Sequence, residues 1–402
     1  MVKFISELLA QIVLFVCVFA NSMQAGSFYS SKGIGLVHNF VSGRSVGMGG
    51  VGLALTDPFT VNYLNPATLV AIPLTSISGN FLHEATDLKS SSQDAFISDT
   101  NVFGLQFVIP LKRNTIVMAL GVNPYSSIEF TFSARDTIGE KSFNQFVSGD
   151  GGVNTAVFSL AINPIKNLYL GVTGLFYFGT LRNNWQVIFD STQFLNTQDE
   201  VGQNFTAINF RLGLLYKILS GWNIGAVFTP AVTLDANKTI TLHRIAAFSD
   251  FPDSDFKIPL AFGVGTSLNL HRKLLIGLDF YLQKWSDSEN NSYVNDSKRI
   301  GFGIEYFANG SLRDSYFSRM AYRAGIQYRD LGLEAPLGEK VTEIFGSVGL
   351  GLPIKWTAAR IDLALEAGKR GSISKNPFKE TIIRITGTVT VGERWFYRGG
   401  RR

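Results

Sequence analysis

Apolar and polar residues alternate along this chain with a period of two. Leu274, Ile276, Leu278, Phe280 and Leu282 point one way, while Leu275, Gly277, Asp279, Tyr281 and Gln283 point the other. That is a strand with one greasy face and one mixed face. The pattern recurs in fourteen stretches, near 74–88, 101–111, 114–134, 153–163, 167–183, 203–217, 222–236, 256–269, 273–286, 297–307, 319–331, 341–352, 357–369 and 379–392. The expected fold class is therefore all-β: a transmembrane antiparallel barrel of about 14 strands, apolar outside and polar within.

The connections support that topology. Lys112-Arg113-Asn114, Pro164-Ile165-Lys166, Leu219-Ser220-Gly221, Leu270-His271-Arg272 and Pro353-Ile354-Lys355 read as tight turns, each after an even-numbered strand. Connections after odd-numbered strands, such as 135–152, 184–202, 237–255 and 287–296, read as longer polar loops. Short periplasmic turns alternating with long external loops are the barrel pattern, and only 308–318 breaks it. A sandwich or propeller has no need of such alternation.

Facing follows from parity. Ile361, Leu363 and Leu365 are expected against lipid, with Arg360, Asp362, Ala364 and Glu366 inward. A charge at lipid mid-depth costs on the order of 2–4 kcal/mol, so Glu305, Arg323, Asp362, Glu366 and Arg384 are assigned to the lumen. They read as a polar path or, preferably, as a structural ion network filling a narrow interior. Tyr125, Trp185, Trp222, Trp285, Trp356 and Trp395 lie near strand ends and read as an interface girdle.

Composition narrows the partners. Hydrophobic residues make up 46% of the 402 positions and aromatics 13%, yet no run of about 18 apolar residues follows position 25, which excludes spanning helices. The net charge of +5 is scattered, so nucleic acid is not an expected partner. Residues 1–25 read as an export signal: Lys3, an apolar run over 8–20, and small residues offering cleavage between 20 and 25. The only cysteine, Cys17, falls inside it, so thiol chemistry is not expected of the exported chain. With four histidines and no HExxH or GxSxG motif, the chain is not expected to be an enzyme. No cluster suggests a metal, and no cofactor is called for.

Residues 26–73 differ in character, being glycine-rich with weak alternation. Gly47-Met48-Gly49-Gly50-Val51-Gly52 formally fits the dinucleotide fingerprint, but Pro58 ends any helix within two turns and no strand-turn-helix unit surrounds it. Glycines at 47, 49 and 50 instead suit a backbone packed tightly inside a barrel as a plug. The exported chain is thus divided into an N-terminal hatch (26–73), a barrel (74–396) and a basic tail (397–402).

The run Gly43-Arg44-Ser45-Val46-Gly47-Met48-Gly49-Gly50, with Ala54, Asp57 and Asn65-Pro66-Ala67, resembles the N-terminal hatch of the FadL/OmpP1/TodX family of outer-membrane transporters. Tyr322-Arg323-Ala324-Gly325, Gly349-Leu350-Gly351-Leu352-Pro353 and Glu393-Arg394-Trp395-Phe396 resemble relatives from Bacteroidetes and Chlorobi. The resemblance implies a hatch-plugged barrel of 14 strands that passes long-chain fatty acids or aromatic hydrocarbons passively. It further implies barrel-assembly machinery as an assembly partner, outer-membrane lipid as surroundings, and a sideways exit at a kinked third strand. Asn123-Pro124-Tyr125 stands in mid-run there, and proline is tolerated only at an edge or irregularity. By this reading Gly47, Gly49, Gly50, Asn65, Pro66 and Ala67 form the hatch, with Asn65-Pro66-Ala67 facing the opening. Pro230 in the seventh strand is a rival irregularity. The alternative is a PorV-like barrel that binds proteins for a type IX secretion system. The tail after Phe396 departs from the usual aromatic chain end.

Overall fold

The computed structural model describes residues 26–38, 42–90, 94–138, 141–190, 194–242, 255–271, 273–288, 295–307, 315–334, 339–354, 358–374, 376 and 378–395. The expected export signal (1–25) with Cys17, Trp356, Phe396 and the tail 397–402 lie outside them, as does most of the 308–318 connection.

Antiparallel strands close a barrel around the N-terminal segment. In chain order they are β1 (Thr75–Ser90), β2 (Asp94–Lys112), β3 (Ile116–Ile138), β4 (Lys141–Ile165), β5 (Leu168–Phe189), β6 (Thr197–Leu219), β7 (Trp222–Thr229 and Val232–Leu242), β8 (Phe256–Ile258 and Ala261–His271), β9 (Leu274–Gln283), β10 (Ser297–Phe307), β11 (Ala321–Glu334), β12 (Lys340–Pro353), β13 (Ala358–Gly371) and β14 (Phe378–Glu393). The ring closes where β14 runs beside β1 from Glu393↔Thr75 to Phe378↔Ser90, which removes the free edge that lipid would not tolerate. Fourteen strands thus cross the wall, and the parity follows the sequence. Leu278, Ile300, Ile326 and Leu365 are exposed, while Asp279, Glu305, Arg323 and Asp362 beside them are buried.

Asn114 and Asn167, the non-glycine residues with positive φ among the described residues, occupy two of the tight turns, and Gly221 takes a third, as short left-handed turns require. Two of the expected long loops are strand instead. The β3–β4 ladder continues from Glu129↔Asp150 to Ile138↔Lys141, and β5–β6 continues to Val187↔Thr197. In these hairpins the apolar residues, such as Phe143, Phe146, Val147, Val187, Ile188 and Phe189, fall on both parities, so the two-fold pattern shows no single apolar phase.

The girdle reading needs correction at two positions. Trp285 is buried in a 3-10 turn (Trp285–Asp287), edge-on to Phe256. Tyr125 packs edge-on against Tyr177 and accepts a 2.8 Å hydrogen bond from Gln283. Both belong to an internal apolar cluster with Ile128, Phe130, Leu175, Leu333 and Val341. The cause is local: a register shift between Pro124 and Ser126 resets parity at Tyr125, and β9 ends before Trp285. Trp185, Trp222 and Trp395 remain at the surface.

Candidate functional site

The N-terminal segment reaches the inner wall through glycine. Ser42 caps a short helix (Gly43–Gly47), its hydroxyl accepting from Ser45 N at 3.3 Å. Gly49 then takes φ +66°, and a Cβ there would collide with the carbonyls of Phe302 and Ile326 on β10 and β11. Gly47 and Gly50 are similarly pressed against Gly349 of β12 and Gln327 of β11. For Gly47 and Gly49 the contact is with strand backbone, which only a residue without a side chain permits, whereas Gly50 meets the side-chain amide of Gln327.

Below this turn, charges tie the segment to the wall. Arg44 reaches both carboxylate oxygens of Glu305 at 2.6 and 2.9 Å. Arg323 contacts Glu305 on one side and Asp362 at 2.7 Å on the other. Arg360 holds Asp362 at 2.7 Å and also pairs with Asp57, which lies 3.5 Å from Arg44. The six groups are buried and alternate in sign, so each desolvated charge has a counter-charge. Burial alone would raise the Asp57 carboxyl, but Arg360 and Arg44 outweigh it and hold it below the usual carboxylate range. Glu305, Arg323 and Asp362 therefore share one network. Arg384 lies elsewhere, paired with Glu84 of β1, and Glu366 has no hydrogen-bond or ion-pair partner among the described residues.

Asn65-Pro66-Ala67 sits away from Pro124. Asn65 caps the 3-10 helix Pro66–Ala71 by accepting from Ala67 N at 3.1 Å. Its amide donates to Leu53 O at 2.6 Å and Leu214 O at 3.0 Å. Pro66 abuts Gly171 of β5 and Gly213 of β6. Just beyond, Leu69, Val70 and Ile72 pack on Val108, Val117 and Ala119 of β2 and β3. The element thus lies against the fully paired lower wall, near the tight turns.

Higher up, that wall is incomplete. β2 and β3 pair from Lys112↔Ile116 to Leu105↔Val122 and no further. Above this point β2 stays with β1, from Phe81↔Val102 to Lys89↔Asp94, while β3 stays with β4. Two irregularities face each other where the strands part. On β2, Gly104 takes φ +110° beside a register shift opposite Gly79 and Phe81. On β3, Pro124 supplies no N–H and is followed by the shift at Tyr125. Gln106 donates to Asn123 at 2.9 Å across the last closed rung.

Pro230 behaves differently. The break in β7 is bridged by Asn209, whose amide donates to Pro230 O at 2.8 Å, and pairing with β6 and β8 resumes on both sides. The wall there stays shut.

A piece of the N-terminal segment lies along the exposed flank of β3. Leu36 and Val37 pair with Ser127 and Ser126, and His38 donates from its backbone to Tyr125 O at 2.8 Å. The His38 ring meets Ser127 Oγ at 2.9 Å and stands edge-on to Phe103 of β2. Burial, reinforced by Arg384, pushes this imidazole down to about 3. Thus 36–38, rather than Asn65-Pro66-Ala67, lies at the β3 edge that β2 leaves unpaired.

Between this strip and β2 lies a cavity of about 450 Å³. Leu82, Ile97, Val102, Phe103 and Pro124 line it towards the wall. Glu84, Asp99, Glu129, Arg329, Glu343, Glu366, Arg370 and Arg384 bring charge into it. Arg370 bridges Glu343 and Glu380, and Arg329 donates to Val37 O at 2.7 Å. The sequence reading quoted Arg44 and Asp57 only within the hatch motif and gave no site role to Glu84, Glu343, Arg370, His38 or Gly104. Arg360, Glu343 and Arg370 stand at inward parity, and a glycine inside a strand is itself a bulge signal.

Solved structures share this architecture. The Pseudomonas putida toluene transporter TodX superposes with a TM-score of 0.59 at 17% identity, covering 90% of this chain and 100% of that one. The Ralstonia pickettii toluene transporter TbuX gives 0.55 at 17%, with 87% and 98% covered. A Pseudomonas aeruginosa FadL homologue gives 0.58 at 11%, with 89% and 99% covered. At such identities the likeness establishes the FadL-type outer-membrane barrel fold. No curated protein matches the sequence. A family model does, along residues 1–399, and by that match the chain belongs to the BamG family.

Proposed function

We propose that the chain is a hatch-plugged barrel of the bacterial outer membrane that admits a hydrophobic-tailed small molecule sideways, by passive diffusion, between β2 and β3. One observation carries this reading: the β2–β3 ladder ends at Leu105↔Val122, and the space above it leads into the 450 Å³ cavity. A pocket of that size suits a small ligand. In this reading residues 26–73 are the hatch, Gly47, Gly49 and Gly50 its close-packed turn, and Asn123-Pro124-Tyr125 the hinge of the opening. The toluene transporters among the structural neighbours agree with an apolar substrate. The charged cavity asks for one with a polar end. Uptake by a transporter-deficient strain tests the proposal, comparing wild type, Pro124→Ala, and an Asn101→Cys/Ser127→Cys pair bridged by a bis-maleimide. Bridging should abolish uptake. Uptake that survives the bridge would sink the sideways route, and the absence of uptake of fatty acids, aromatic hydrocarbons and amphiphiles would sink transport altogether.

A second reading has its own support. The BamG family model points to the barrel-assembly machinery, and the buried ion network fixes the plug to the wall. A non-conducting barrel that binds assembly proteins, instead of the secretion-system partner expected from PorV, fits both. Co-purification of barrel-assembly proteins from cross-linked membranes, with no uptake, would favour it.

A further inference from the structure

The geometry points to a binding site for the cationic head of an amphiphile, an alkylammonium group, inside the side cavity, with Glu366 as its anionic partner. This deepens the sideways-admission reading and rests on it.

The charge balance of the cavity is uneven. Five carboxylates line it against three guanidiniums, and each guanidinium is already engaged. Arg384 turns to Glu84 and lies 4.5 Å over the Phe345 ring. Arg370 is held between Glu343 and Glu380. Arg329 is shared by Glu343 and the Val37 carbonyl. His38 is neutral at ordinary pH. Glu366 is left over. It stands directly opposite Arg384 in the β13–β14 register, yet it forms no hydrogen bond or ion pair with any described residue. It is only 6% exposed, and its exposure is to the cavity. A buried carboxylate without a partner is costly, and an incoming cation removes that cost.

Two further carboxylates, Asp99 on β2 and Glu129 on β3, line the same cavity from the strands that flank the gap, and neither has a guanidinium partner among the described residues. They attract the same sign of charge on the way in. The wall side of the cavity is apolar, and Val102 is 69% exposed at its rim. A ligand can therefore keep its tail among lipid while its head enters. A single anionic head would meet three carboxylates that hold no ion pair among the described residues, and a neutral hydroxyl head could share a hydrogen bond with Glu366 but would add no charge to balance it.

Binding of probes sharing one tail tests the assignment. Dodecylammonium, dodecanol and dodecanoate are titrated onto the full-length exported protein in nanodiscs, with ethylammonium as the tail-free control. Dodecylammonium should bind at least tenfold more tightly than each of the other three. Glu366→Gln should abolish that preference while leaving dodecanol binding unchanged. Equal or tighter binding of dodecanoate, or a dodecylammonium affinity indifferent to Glu366→Gln, overturns the inference. Should the variant fail to fold, the head-group series on wild type decides alone. Because binding is read without transport, loss of uptake with the head-group preference intact would refute sideways admission and not the site, whereas bridged-gap-sensitive uptake without the preference would refute the site and not the route.

Discussion

At the scale of single residues, the interior depends on positions where one atom decides the outcome. Gly49 combines a left-handed φ with direct contact against two strand carbonyls. Gly49→Val should cost about 2–5 kcal/mol, from backbone strain plus overpacking. Denaturant unfolding in detergent checks this, and a loss below about 1 kcal/mol would mean the turn does not pack as described. His38 gives a pH-dependent counterpart. Its ring titrates near the ordinary 6.5 when unfolded and at about 3 in the folded protein. The unfolded chain therefore binds the extra proton first as pH falls. The stabilisation is complete above about 6.5 and is lost progressively down to about 3. Hydrogen exchange at residues 35–38 should quicken as pH drops from 7 to 4.5, after correction for intrinsic rates. His38→Gln should flatten that response, and an identical response in wild type and variant would remove His38 as its source.

At the scale of elements, the proposed side opening is a statement about unpaired backbone. Along β2 above Gly104, the N–H groups turned towards β1 are in the ladder, while those turned towards β3 have lost theirs. Amide exchange resolved by residue should be at least tenfold faster at those alternate positions in 94–103 than in the closed rungs 105–110. Uniformly slow exchange across β2 would show that the wall is sealed. Most elements were legible in the sequence because lipid imposes a phase: one apolar residue in two, repeated for fourteen strands. Legibility failed where that phase is absent or reset. The upper hairpins of β3–β4 and β5–β6 carry their apolar residues on both parities among many polar ones and read as loops. Tyr125 and Trp285 follow a bulge and a strand end, so counting by two sent them to the wrong side. Pro124 was visible because proline cannot join a ladder, whereas its partner irregularity at Gly104 looked like one glycine among many.

At the scale of the whole molecule, the charges explain why the plug and wall form one body. Arg44 and Asp57 come from the N-terminal segment and Glu305, Arg323, Arg360 and Asp362 from β10, β11 and β13, so the network closes only when plug and barrel meet. Parity placed Glu305, Arg323 and Asp362 in the lumen. It could not reveal that Glu305 also pairs with Arg44, 261 residues earlier, or that Arg360 beside Asp362 pairs with Asp57, 303 residues earlier. Asp57 is the joint, since Arg44 and Arg360 both use it. Asp57→Ala leaves two buried guanidiniums short of a counter-charge, a loss of about 3–5 kcal/mol for a broken buried pair. The barrel ladders do not involve Asp57, so the loss should fall on the plug. The variant should keep its folded, heat-modifiable migration on SDS gels while exchange in residues 42–64 rises. In planar bilayers it should show intermittent conductance absent from wild type. If the barrel unfolds together with the plug, the two are a single cooperative unit. If exchange in 42–64 is unchanged, glycine packing alone holds the plug and the ion network is dispensable.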